Sequence, residues 1–82
     1  MTNHADAQFH AIEARDSAER ARDAFVAGDY TNGLRDLATV EMRVRSAQAA
    51  AVKAWRESGA TWQQVADVLG TTKQNVQQRF GV

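Results

Sequence analysis

The sequence predicts an all-α protein: a long antiparallel helical hairpin followed by a C-terminal helix-turn-helix, four helices in all. Three observations carry this expectation. Proline is absent from the 82 residues, so no interior position lacks an amide donor. Apolar residues recur at spacings of three and four, and the β-branched and aromatic ones never alternate over a strand-length window. The two long periodic runs are joined by only Gly28-Asp29, a connection that suits an αα-hairpin.

The first run, about His4 to Ala27, places Ala7, Ala11, Ala14, Ala18, Ala21 and Phe25 in one stripe. Such small residues allow close helix approach. Gly28 suits a left-handed cap, and Asp29 can accept from the free amides of the next helix. The second run, about Tyr30 to Ser58, puts Tyr30, Leu34, Leu37, Val40, Val44, Ala47, Ala51, Val52 and Trp55 on one broad face. Unbroken, it is about 42 Å long. The two stripes are expected to meet, with Asn32-Gly33 as a weak point that lets the second helix start after it. Gly59 then ends the run.

Two short helices follow. Thr61-Trp62-Gln63-Gln64 has the form of a capping box, with the Thr61 hydroxyl placed for the Gln64 amide and the Gln64 side chain able to reach back. Leu69-Gly70 closes the first short helix, Gly70 being free to take the positive φ of a tight turn, and Thr71 and Thr72 supply the next cap. Ala66 falls where two such helices cross, Val65, Leu69, Val76 and Phe80 bury the inner faces, and Trp62 anchors the first turn. Val52 and Trp55 of the long helix complete a three-helix core. Residues 1–45 therefore read as the hairpin and expected dimerisation region, and residues 46–82 as a tri-helical unit that shares the second long helix.

From Lys53 to Gly81 the chain resembles the C-terminal part of many small bacterial helix-turn-helix regulators, related to the tri-helical domains of sigma-factor region four. Arg56, Gly59, Thr61, Trp62, Val65, Ala66, Leu69, Gly70, Thr72, Gln74, Val76, Arg79 and Phe80 carry the likeness, over about a third of the chain. Thr71 departs from it, standing where an apolar residue is frequent. The resemblance implies that Thr72 to Arg79 is a recognition helix for the major groove of double-stranded DNA. Its exposed face is then Lys73, Gln74, Gln77 and Gln78, flanked by Asn75 and Arg79. Gln and Asn can pair bidentately with adenine and Lys can donate to guanine. Thr61, Gln63, Thr71, Thr72 and the helix-terminal amides are candidates for phosphate. Arg43, Arg45, Lys53 and Arg56 are expected to add salt-dependent, sequence-independent attraction.

Net charge is zero, but its distribution is uneven. Residues 1–42 hold eight acids against four bases, and residues 43–82 hold six bases against two acids. Such asymmetry fits a chain that meets a polyanion with one half only.

Other function classes find little support. No cysteine is present, so neither a disulfide framework nor a thiolate metal site is expected. His4 and His10 are six apart and face different directions on a helix, which argues against a metal. No phosphate loop or activated nucleophile can be assembled, so no enzyme, no cofactor and no small-molecule ligand is expected. Nothing resembles a signal peptide or membrane span, and the expected setting is the cytoplasm, at the nucleoid. A chain this short buries about 60% of its surface, and a second subunit is one means of adding stability. A homodimer is expected, with Phe9 and Ile12, set apart from the alanine stripe, and Met42 as candidate contacts. The function expected from sequence is thus that of a dimeric transcription regulator. The competing reading is a protein-interaction adaptor that uses the acidic hairpin and does not bind DNA.

Overall fold

The computed structural model describes residues 2–81; Met1 and Val82, the outer ends of the two segments above, lie outside the described residues. Four helices form: α1 Asn3–Val26, α2 Tyr30–Glu57, α3 Trp62–Leu69 and α4 Lys73–Phe80. The described residues contain no strand. Overall extents are 45 × 28 × 19 Å, set by the length of the hairpin.

Local chemistry fixes the helix ends. Thr2 Oγ1 accepts the Ala5 amide at 3.2 Å and starts α1 one residue earlier than the periodicity suggests. At the other end Gly28 turns the chain with φ +75°. Asp29 then caps α2, its Oδ1 accepting the Asn32 amide at 3.1 Å and its Oδ2 the Asn32 side-chain amide at 2.6 Å. These bonds, backbone first, hold the Asp29 carboxyl below its ordinary value.

The start of α2 corrects the expectation at Asn32-Gly33: the helix begins at Tyr30 and runs through the glycine. Gly33 is buried, and a Cβ there would overlap the Phe25 ring. The residue trades helix propensity for room to seat the Phe25 ring of α1 against α2. The Asp29 cap compensates at the terminus.

α1 and α2 run antiparallel along their whole length. Asn3 Nδ2 donates to Glu57 Oε1 at 2.9 Å at one end, Arg43 meets the His10 ring at 3.1 Å in the middle, and Phe25 covers Gly33 at the other. The seam, however, is not stripe on stripe. Ala11 and Ala18 are exposed, as are Leu34, Leu37, Val44, Ala51 and Trp55. In their place the seam takes Ala7, His10, Ala14, Ser17, Ala21 and Ala24 against Gly33, Asp36, Val40, Arg43, Ala47, Ala50 and Ala54, all at least half-buried. These again follow spacings of four and three, but on a face turned from the first. Alanine, serine and glycine let the axes come close, whereas Leu37, Val44 and Trp55 in the seam would hold them apart. The buried Ser17 hydroxyl accepts from Arg20 at 2.8 Å, which removes the penalty of an unpaired polar group.

The second core lies at the far end of α2. Val52, Val65, Ala66 and Val76 form it, with Trp62, Leu69 and Phe80 packed around them. Trp55, expected to complete this core, stays at its edge with 39% exposure. Ala60 is buried instead, its carbonyl accepting from Arg56 at 2.7 Å.

Two outcomes follow for stability. Gly33→Ala lowers the melting temperature although it gains about 1 kcal/mol in helix propensity, and in a Phe25→Ala background the same change becomes stabilising; thermal unfolding of the four proteins of this cycle checks it. The Asp29 cap contributes fully above the ordinary carboxylate pKa and is lost as pH falls through its lowered folded value. Asp29→Asn, which keeps a capping oxygen, flattens the acid limb of a stability-versus-pH curve.

Candidate nucleic-acid interface

The short helices are held at both ends. Thr61 Oγ1 accepts the Gln64 amide at 3.1 Å while the Thr61 amide donates to Gln64 Oε1 at 2.8 Å, closing the capping box. Gly70 takes φ +67° and ψ +35°, and the following Thr71 amide donates back to the Ala66 carbonyl at 3.0 Å. Thr72, not Thr71, caps α4, accepting the Asn75 amide at 3.1 Å. Between the helices Ala66 and Val76 are both fully buried. No larger side chain fits at Ala66 without parting them.

This packing decides which side of α4 is free. Val76 is buried and Phe80 half-buried, whereas Lys73, Gln74, Asn75, Gln77, Gln78 and Arg79 are exposed. Gln74 and Gln78 stand two residues either side of Val76, so they rise together on the side of the helix away from the core. α4 packs on α3 and on α2. The acidic first helix leaves the amide ridge uncovered, as the exposure of all six residues requires.

The cations fall into two groups. Lys53 and Lys73 are exposed and take no part in an ion pair among the described residues. Arg56 is committed to its own fold: it donates to the Ala60 carbonyl and its guanidinium lies 4.2 Å above the Trp62 ring. Arg79 leans back over Phe80 at 4.9 Å and donates to Gln48 Oε1 on α2 at 3.2 Å. Lys53, Arg56 and Arg79 line one groove with Trp62 and Phe80, which Glu57 also lines. Arg43 departs from its expected surface role. It points into the hairpin, 5.5 Å from the centre of the Phe9 ring, and its Nε is buried without a hydrogen-bond partner.

Among the polar candidates, Thr61 and Thr72 use an oxygen lone pair for capping and keep the O–H free to donate outward. Gln63 donates to Asp67 at 2.9 Å, a bond between exposed groups one helical turn apart. Thr71 is half-buried. The suggested dimer contacts Phe9, Ile12 and Met42 are about half exposed, at 48%, 48% and 53%. The sequence reading missed the exposed row of Leu34, Leu37 and Val44 because it had placed them inside the hairpin. Leu37 and Val44 share the seven-residue spacing of the seam residues Gly33, Val40 and Ala47, so periodicity does not separate the two rows.

Among the described residues no group of three His, Cys, Asp or Glu side chains could hold a metal ion. No described helix is long and apolar enough to cross a membrane. Comparison with protein-family models, with curated proteins and with solved structures finds no match to this chain.

The crossing and its cap set the expected cost of disturbing the site. Ala66→Leu loses about 1 to 3 kcal/mol through overpacking, and Thr61→Ala loses about 1 kcal/mol through the missing cap. Urea unfolding followed by Trp fluorescence and circular dichroism measures both.

Proposed function

We propose that this protein binds double-stranded DNA with sequence preference, laying α4 in the major groove, and that it acts as a dimeric transcription regulator. The observation that carries the proposal is the exposed ridge Gln74, Asn75, Gln77 and Gln78, free of any acid, on a helix held by the buried Ala66 and Val76. Amide side chains present a donor and an acceptor side by side, which matches the N6 and N7 edge of adenine, and Lys73 can donate to guanine. Rigid support matters because base recognition depends on placing those pairs to within a fraction of an ångström.

Phosphate contacts then fix register. The Thr61 and Thr72 hydroxyls, the Thr71 region and the first amides of α4 suit this role, together with Lys53. Arg79 joins them by exchanging its bond to Gln48, an exposed contact whose loss costs little. Arg56 supports the fold of the site and adds charge at short range. The reading calls for no catalytic group, cofactor or small-molecule ligand, so we take the chain to be a binding protein that works at the nucleoid. The acidic hairpin faces away from the duplex, which keeps like charges apart.

Selection of duplexes from a random pool, followed by fluorescence-anisotropy titration, tests this reading. Gln74→Ala lowers discrimination between selected and random duplex by roughly 1 to 3 kcal/mol, whereas Lys53→Ala weakens both alike and reduces the salt slope by about 1. Absence of salt-dependent duplex binding, or equal loss on both duplexes for Gln74→Ala, refutes it.

A further inference from the structure

Because the hairpin seam is built from small and polar residues, the larger apolar side chains of α2 are left on a lateral face. Leu37, Val44 and Trp55 are 38%, 41% and 39% exposed there, and Leu34 63%. α1 contributes a parallel row to the same face. Ala18 and Phe25 line one hollow with Leu37, and His4 lines another with Ala51 and Trp55. The face therefore runs the length of the hairpin and continues past Trp55 onto Val68 and Leu69 of α3. An 82-residue chain with so much unpartnered apolar surface has a binding face.

We infer that this face is covered by a second copy of the same chain, the two hairpins forming a four-helix bundle about a two-fold axis parallel to their helices. Three features of the face select that occupant. First, it is made of layers seven residues apart: Ala18 shares a hollow with Leu37 and His4 with Ala51, and the Phe25 and Tyr30 ring centroids are 6.3 Å apart. Two turns on, Ala11 falls level with Val44. The stated axis sets the α1 row of one copy against the α2 row of the other at equal height, so Ala11 and Ala18 receive Val44 and Leu37 of the second copy, small against large in every central layer. Second, one pair of charges matches, while Arg22, which also lines the face, keeps its neighbour Asp23. Arg15 and Glu41 edge the face at one level, both exposed; Arg15 reaches only its neighbour Asp16 and Glu41 has no ion pair among the described residues. The two-fold places each Arg15 beside the Glu41 of the other copy. Third, a face about 36 Å long and two helices wide buries about 700 Å² per copy, close to the roughly 800 Å² of a standard stable interface.

On α2 the α4 contacts, at Gln48, Ala49, Lys53 and Arg56, lie C-terminal to Leu37 and Val44, and Gln74 and Gln78 stand opposite the buried Val76, so the arrangement leaves the amide ridge clear of the central layers. It supplies the second half of a two-fold reader, and in that role alone it rests on the DNA-binding reading. Sedimentation of the full chain without DNA tests the face, and duplex titration tests the reading, so either can fail by itself. Wild-type protein sediments at twice its monomer mass from low micromolar concentration. Leu37→Glu, at a position open enough to leave the fold intact by circular dichroism, weakens dimerisation at least about 100-fold by burying charge. Arg15→Glu and Glu41→Arg each weaken it about 5-fold, and the two combined restore it. A monomeric wild type at several hundred micromolar overturns the inference. So does a Leu37→Glu protein that dimerises like wild type, a charge swap that fails to restore association, or dissociation by Phe9→Glu on the opposite side.

Discussion

Everything in this molecule depends on α2 serving three surfaces at once. One side of the 28-residue helix accepts α1 through alanine, glycine and a few polar residues. Another accepts α3 and α4 through Val52. A helix has only about 3.6 residues per turn to divide among its neighbours, so the largest apolar side chains cannot all be turned inward. The close seam with α1 takes the small ones, and the remainder is left on a third side. The fold of the hairpin and the existence of an open apolar face are thus one constraint seen twice.

The same economy explains the electrostatics. Acids concentrate in α1 and the first half of α2, and the committed guanidiniums of Arg43 and Arg56 are absorbed by aromatic rings and carbonyls of their own chain. What remains outward near α4 is lysine, amide and Arg79, the last held by an exposed bond to Gln48. An amide ridge is only weakly attractive at long range, so in the proposed role specificity comes from geometry more than from field strength. The proposed function thus does not require a chain of net positive charge.

Much of the fold was legible in the sequence, and the places where legibility failed share a cause. Capping signals are local, and Thr61 with Gln64, Gly70 and Asp29 all behave as their chemistry requires. The tri-helical core was legible because Ala66 and Val76 have no alternative face to bury. The hairpin seam was not, since α1 carries two overlapping series at spacings of four and three, Ala7-Ala14-Ala21 common to both, and only three-dimensional packing decides between them. The role of Gly33 was hidden for a related reason: its partner, the Phe25 ring, comes from another helix. In the site, the exposed residues of α4 were expected from the resemblance to a recognition helix, whereas the tethering of Arg79 to Gln48 and of Arg56 to Ala60 depends on tertiary neighbours.

The continuity of α2 has a mechanical side. With no proline and no break at Gly33, it is a stiff rod joining the hairpin turn to the platform that carries α4. On such a lever of about 40 Å, a pivot of about 5° at the Tyr30 end moves the far end by about 3.5 Å, roughly the rise of one base pair. Under the proposed reading, a small change of inclination near the hairpin turn becomes a shift of about one base step along a bound double helix, without any joint having to bend.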